Sequence, residues 1–394
     1  MSVPPLLFPF LISYLGVLCY VYKRHNWRHL SVAHSRNVMT ENNSSPIILD
    51  GSQGEGGGSI LRVGAGLACV MNRPLRVTNI RKNRNTPGLR TQHLIGIQAL
   101  NTLTNGTLSD VRVGTLELTF GPGSDWKTTL DLTIPTAGNV GLLMQTLQNA
   151  LYRAPIEKCS IHIQGGGTYG MAAPGTGYLQ NVTYPLFNRL GYSLDLTIIR
   201  DGFYPKGGAE AVATIAPNPS GYRGLILEER GELESVEGCV VAEQSLQQAR
   251  VGERIKESLI ASTSNLLPRG MVMNIKVEYT SAPSVGVGVD VWCNFSSGGI
   301  LGTGTLLGER GVPSETIGKR AGQKLRQLLV SDATVDEYAS DQLVPLLSLA
   351  EGPSKFKLDA ISSHLQTNLD IIRSFFPREY RITPSGKGFV FEYL

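Results

Sequence analysis

Apolar and polar positions alternate along this chain in short β-type runs and longer helical ones. Ile47–Asp50 (Ile-Ile-Leu-Asp) predicts a strand that ends in a glycine-rich loop, Gly51-Ser-Gln-Gly-Glu-Gly-Gly-Gly58. Ser59 is a residue type that caps helices, and Ile60, Gly64, Leu67, Ala68 and Met71 recur at helical spacing, which predicts a helix to Met71. Strands follow at 75–80, 112–120, 127–134, 160–164 and 193–200. Helices fall at 91–103 (Leu94, Ile97, Leu100), after Thr136-Ala-Gly-Asn139 (Leu143, Met144, Leu147, Leu151) and at 177–190. Further glycine clusters stand at Gly165-Gly-Gly167 and in Tyr204-Pro-Lys-Gly-Gly208. Strand, glycine loop and helix thus recur in a similar order, as related α/β units would.

From 223 to 310 the texture changes. Glu and Gln cluster, a helix is predicted at 245–265, and strands at 271–279 and 287–295. The expected organisation is a large domain, 47–222 and 311–394, interrupted by a small inserted domain at 223–310. Past Ser314 the pattern predicts helices at 314–330, 334–350 and 363–376 and one strand at 380–393. The fold class is α/β (α+β).

The first 46 residues stand apart. Between Ser2 and Tyr22 there is no charged side chain, and Lys23, Arg24 and Arg28 follow. About 20 apolar residues can cross a bilayer, and basic residues after them favour leaving the rest of the chain in the cytosol. One expectation is therefore a signal anchor on the endoplasmic reticulum or outer mitochondrial membrane, with 23–46 as linker. The other is a start near Met39, with the body in nucleus or cytoplasm.

Composition narrows the classes. An apolar share of 41% with 17% charged residues fits a globular protein rather than a disordered one. Of the net charge of +4, residues 1–46 supply +3 (four basic, one acidic), which leaves 32 basic and 31 acidic residues in the body. A near-neutral body excludes coating of nucleic acid by bulk charge. Yet 56–109 holds Arg62, Arg73, Arg76, Arg81, Lys82, Arg84 and Arg90 and no acidic residue, which suits one phosphate-rich ligand or strand end, or a solvated surface. The five cysteines form no CxxC pair, which excludes a zinc ribbon and suits a reducing compartment.

The loop before the first helix suits phosphate, because bare backbone N–H groups and an electropositive helix end meet there. No Gly-Lys-Ser/Thr follows, so it is not a P-loop. Glu55 within it would repel phosphate unless a divalent metal lay between them. His364, in Ser362-Ser-His-Leu, begins a helix whose core face is Leu365, Leu369 and Ile372. The positive end of that helix favours a neutral imidazole, as a nucleophilic nitrogen requires, and an incoming phosphate; a cap or surface residue is the plain alternative. Tyr338, Asp341 and Gln342 share one helix face and are either a grip for purine and ribose or simply a polar face. His93 begins a helix beside Gln92, and His162 sits between isoleucines in a strand as a structural residue.

These pieces together resemble one family. Gly51-Ser-Gln-Gly-Glu-Gly-Gly-Gly58 with Ile60-Leu-Arg62, then Arg81, Arg84, Thr86-Pro-Gly-Leu89 and Gln92-His93-Leu94, is similar to the RNA 3′-terminal phosphate cyclases. So are Ala137-Gly138 with Leu143-Met-Gln145, Gly202-Phe-Tyr-Pro-Lys-Gly-Gly208, Gly308-Glu-Arg-Gly311, Asp341-Gln-Leu343, and Ser362-Ser-His364 with Thr367-Asn368. The resemblance spans 47–394 in order.

It implies repeated βαβαββ-type units with a small inserted domain, and an ATP-dependent, ligase-type reaction. His364 would attack the α-phosphate to form a covalent histidine–AMP, AMP would pass to an RNA 3′-phosphate, and the neighbouring 2′-OH would close a 2′,3′-cyclic phosphate. By the same resemblance Glu55 would hold Mg²⁺ or Mn²⁺. Arg62, Arg81, Arg84, Gln92 and His93 would contact the triphosphate or the RNA terminal phosphate, with Gln145 nearby. Tyr338, Asp341, Gln342 and Pro174 would hold the adenosine. The partners implied are ATP and an RNA 3′ end bearing a phosphate, and a membrane only if the N-terminal segment is an anchor.

The chain departs from the pattern at Ser59, where Gln is common, at the lengthened Gly165-Gly-Gly-Thr168, at Gly175-Thr-Gly-Tyr178, where an acidic residue is expected, and at Ala209. A non-catalytic cyclase-like branch, active in nucleolar pre-rRNA processing, lacks the histidine, so His364 argues against it. Enolpyruvyl transferases share similar units by analogy of fold only.

Overall fold

The computed structural model describes residues 45–394; the apolar run at 2–22 and nearly all of its linker lie outside the described residues. The first strand and helix form where the apolar spacing puts them. β1 (Ile47–Asp50), α1 (Ser59–Met71), β2 (Leu75–Thr78), α2 (Thr91–Thr104), β3 (Thr107–Leu108) and β4 (Leu118–Gly121) build one sheet in the order β1-β2-β4-β3. β1 and β2 are parallel, which requires a crossover, and α1 supplies it. The remaining pairs are antiparallel.

The same plan recurs. β5 (Thr129–Asn139), α3 (Val140–Leu151), β6 (Cys159–Gly167), α4 (Thr176–Tyr178), α5 (Tyr184–Arg189), β7 (Ser193–Arg200) and β8 (Glu210–Ala216) form a sheet in the order β5-β6-β8-β7, again with its first pair parallel. A π-turn, Leu179–Thr183, joins α4 to α5.

The third unit opens with β9 (Ile226–Leu227), and the chain then departs. It runs through β10 (Leu233–Glu243), α6 (Val251–Thr263), β11 (Asn274–Thr280), β12 (Val287–Phe295), β13 (Ile300–Gly302), β14 (Leu306–Leu307) and α7 (Ser314–Val330). It returns with α8 (Glu337–Leu347), β15 (Ser354–Leu358), α9 (Ser363–Phe375), β16 (Tyr380–Ser385) and β17 (Gly388–Tyr393), in the order β16-β17-β15-β9. β9 and β15 are parallel and the other pairs antiparallel. The architecture is therefore one βαβαββ unit used three times, the third interrupted by a smaller α/β body.

Two hydrophobic clusters match this division. The larger gathers Leu61 and Leu67 of α1, Ile97 of α2, Leu147 of α3, Leu343 of α8 and Leu365, Leu369 and Ile372 of α9. Each such side chain, removed from water, contributes roughly 1.5–3 kcal/mol before entropy is counted. The smaller joins Val240, Ile255, Val289 and Val291 to Ile317, Ala321 and Leu325 of α7. Hence α7 shares the inserted body's core, which extends past the limit of 310 read from the sequence. At the other end, β9 pairs with β15, so 226–227 belongs to the repeated unit.

Local differences have local causes. β10 was not legible because polar residues interrupt its apolar run (Leu-Glu-Ser-Val-Glu-Gly). The helix expected at 334–350 begins only at Glu337, because the Asp336 carboxylate accepts hydrogen bonds from the Tyr338 and Ala339 N–H groups and caps it. The final segment is a hairpin, not one strand. Among the described residues no helix is long and apolar enough to cross a membrane.

Candidate active site

Two helix N-termini meet at one rim of a cavity of about 490 Å³. One belongs to α1 and carries Ser59 and Arg62; the other belongs to α9 and carries His364. Between them runs the loop 51–58. The Thr367 hydroxyl, one turn beyond His364, accepts a hydrogen bond from the Glu55 N–H at 3.0 Å and so ties the loop to α9. A glycine is needed before it. Gly54 has φ of 56°, and a Cβ there would stand 2.3 Å from Thr367 Oγ1. Gly58 permits a second close approach, since its Cβ would meet His93 Nε2 at 2.3 Å and Arg62 Nη1 at 2.6 Å.

α9 begins as its sequence suggests. Ser362 is the cap, its hydroxyl accepting from the Leu365 N–H at 2.9 Å. His364 then sits in the first turn, free of capping duty, with its side chain 48% exposed at the cavity rim. α1 behaves differently: its cap is Gly58, with no side-chain cap bond. The Ser59 hydroxyl instead donates to Glu55 Oε1 at 2.6 Å and lies 3.1 Å from His364 Nδ1.

Glu55 is nearly buried, and its Oε2 is held by Arg84 Nη2, which also donates to the Glu55 carbonyl. Burial alone would raise its pKa. The Ser59 hydrogen bond, His364 and Arg84 together outweigh burial and hold the carboxyl below its ordinary range. Both carboxylate oxygens are thus engaged. Among the described residues no three His, Cys, Asp or Glu side chains form a group that could hold a metal. In this structure Ser59 and Arg84 are the partners of the Glu55 oxygens.

Arg62 reaches the cavity from α1, and its Nε donates to Gln145 Oε1 at 3.1 Å. Burial pulls its pKa down to about 10, only partly offset by Glu55. A guanidinium desolvated to this degree is a strong site for phosphate oxygens. Opposite, Tyr338, Asp341 and Gln342 of α8 and Pro174 line the wall. Asp341 accepts the Ser362 hydroxyl, and burial pushes its pKa up to about 7 despite that bond. Gln342 is locked between Gln148 and Thr183 by side-chain hydrogen bonds. Three lining amide oxygens, Gln148 Oε1, Asn149 Oδ1 and Asn368 Oδ1, are buried and unpaired.

The cyclase family profile, described as RNA 3′-terminal phosphate cyclase, matches residues 53–382. The chain belongs to the RNA 3′-terminal phosphate cyclase family. Proteins named RNA 3′-terminal phosphate cyclase from Archaeoglobus fulgidus and Methanothermobacter thermautotrophicus are each 34% identical to it. The first match covers 84% of this chain and 95% of the relative, the second 87% and 98%. A third relative of that name, from Pyrobaculum aerophilum, is 35% identical over 83% of this chain and 92% of its own length.

Not every residue that the cyclase resemblance singled out lines the cavity. Arg81, Arg84, Gln92 and His93 lie behind the loop. Arg81 Nη1 donates to the Thr86 and Gly88 carbonyls and pins that turn. Gln92 Oε1 accepts from the Asn139 N–H. His93 is buried, its Nδ1 accepts from the Arg90 N–H, and burial with Arg62, Arg81 and Arg90 around it drives its pKa down to about 3. It is a neutral support for Gly58 and Arg62 rather than a cation for phosphate. Sequence reasoning gave Ser59 only a capping role; nothing in the spacing shows that a histidine some three hundred positions away would meet its hydroxyl.

Proposed function

We propose that this protein converts an RNA 3′-terminal phosphate into a 2′,3′-cyclic phosphate at the expense of ATP. A His364 ring nitrogen attacks the α-phosphorus, forming an N–P bond as the bond to pyrophosphate breaks. An oxygen of the RNA 3′-phosphate then attacks that phosphorus, forming an anhydride as the N–P bond breaks. Last, the 2′-oxygen attacks the terminal phosphorus, loses its proton and expels AMP.

The observation that carries this reading is the placement of His364. Its ring stands exposed at the rim of the cavity that Arg62 and Tyr338 also line. Arg62 would receive triphosphate oxygens, and Tyr338, Asp341, Gln342 and Pro174 would receive the adenosine. Arg84, paired with Glu55 of the loop, and Arg81 near it would draw the RNA terminal phosphate. Any Mg²⁺ or Mn²⁺ would arrive with the triphosphate's own oxygens.

The test uses a short RNA with a 3′-phosphate, ATP and magnesium. Expected are an end that resists phosphatase and one AMP released per end, both lost in His364→Ala. An end that stays phosphatase-sensitive, or a fully active His364→Ala, would overturn the reading.

A further inference from the structure

The three groups Glu55, Ser59 and His364 form a chain that neither the cavity nor the helix caps require. Ser59 does not cap α1, because that role falls to Gly58. Its hydroxyl is nevertheless buried and has two partners, Glu55 Oε1 at 2.6 Å and His364 Nδ1 at 3.1 Å. Glu55 and His364 are themselves 3.8 Å apart, too far for a direct hydrogen bond, so Ser59 is the bridge.

We propose that Ser59 is a positioning residue, which fixes His364 as the tautomer protonated on Nδ1 and leaves Nε2 as the attacking nitrogen. The logic is that of a single proton. A serine hydroxyl has one to give, and a carboxylate has none. Glu55, gripped at its other oxygen by Arg84, can only accept, so the Ser59 proton points at it. Ser59 Oγ then faces His364 with lone pairs alone. The contact at 3.1 Å is a hydrogen bond only when Nδ1 carries the hydrogen. Nε2 is left with its lone pair in the plane of the ring.

The same chain acts after attack. Once Nε2 bonds to phosphorus the ring becomes a cation, with its proton still on Nδ1. The sequence Nδ1–H to Oγ–H to Oε1 then brings the Glu55 charge to bear on that cation through one intermediate oxygen. This is the orienting logic of a base held by a third group. It gives Glu55 a role that needs no metal, and it runs through Ser59, at a position where the family resemblance expects Gln.

The inference rests on the proposed nucleotidyl transfer, and the experiment separates the two. Histidine-labelled full-length protein is examined by ¹⁵N NMR, with His364→Ala assigning the resonances. Ser59→Ala and Ser59→Thr are compared with wild type for single-turnover formation of the protein–AMP adduct and for AMP affinity. Expected are an Nδ1–H tautomer in wild type, and in Ser59→Ala a shift toward Nε2–H. Adduct formation in Ser59→Ala should slow about 10–100-fold at unchanged AMP affinity. Ser59→Thr, which keeps the hydroxyl, should return most of the rate. An Nε2–H tautomer in wild type, or an unimpaired Ser59→Ala, overturns the relay. An Nδ1–H ring in a wild type that forms no adduct overturns the nucleotidyl transfer and upholds the hydrogen-bonded chain.

Discussion

Thr367 Oγ1 accepts a hydrogen bond from the Glu55 N–H at 3.0 Å, and Thr367 in turn donates to the Ser363 carbonyl at 2.7 Å. The helix that carries His364 is thereby fastened to the loop that carries Glu55, so one small motif sets the register between His364 and the glycine loop.

Gly54 is the joint of that motif. Alanine there must hold a φ of 56° and bring its Cβ to 2.3 Å from Thr367 Oγ1. The left-handed conformation costs about 1 kcal/mol and the clash adds roughly 1–3 kcal/mol. Gly54→Ala should lower the melting temperature and cut adduct formation at least tenfold, as a rate measurement would register. Thr367→Val, which keeps the volume, should lose rate with less loss of stability.

Arg62 should govern triphosphate affinity. It is a desolvated guanidinium at the cavity wall whose Nε is committed to Gln145. Arg62→Ala should weaken ATP binding by about 10–100-fold in a calorimetric titration and leave adenosine binding nearly unchanged. Arg62→Lys should recover little, because an ammonium cannot keep the Gln145 bond and grip phosphate in the same geometry.

Asp341 should make stability depend on pH. Its folded pKa of about 7 lies above the 3.8 of a solvent-exposed, partner-free Asp in the unfolded chain. The folded state therefore holds a proton that the unfolded state has released, and stability falls as pH rises from about 4 to 7. Asp341→Asn should remove this contribution, so that the variant gains on wild type by ~4 kcal/mol across that window in denaturant titrations. A difference that is flat with pH would count against the buried carboxyl.

An RNA that ends in a 2′-deoxy 3′-phosphate lacks the last nucleophile. It should accept AMP and stop there, so that the adenylated strand accumulates on a gel while the ribose-ended control proceeds to the cyclic phosphate.

Much of the fold was legible because apolar spacing is decisive where an element has one buried face. α1, α2 and α9 show this, and Leu365, Leu369 and Ile372 mark the α9 core stripe. The recurrence of related α/β units was legible in the sequence, but strand pairing is not written in spacing, so their number and strand order came only from the register. α7 carries its own apolar stripe, which does not say whether α6 or α8 will receive it. At the site, His364 and Arg62 could be placed because a helix start and a glycine loop are sequence features. His93 could not, since its burial under Gly58 depends on a contact made across the loop. Ser59 escaped for the same reason: its partner, His364, comes from the last unit.

The most direct test of the account is whether His364 becomes covalently bound to AMP. The protein is incubated with α-labelled ATP and magnesium in the absence of RNA, digested, and the labelled peptide sequenced by mass spectrometry. The account predicts one acid-labile adenylate on the peptide containing His364, released on addition of a 3′-phosphate RNA and absent from His364→Ala. Label on another residue, or none in a protein that still cyclises RNA ends, would contradict it.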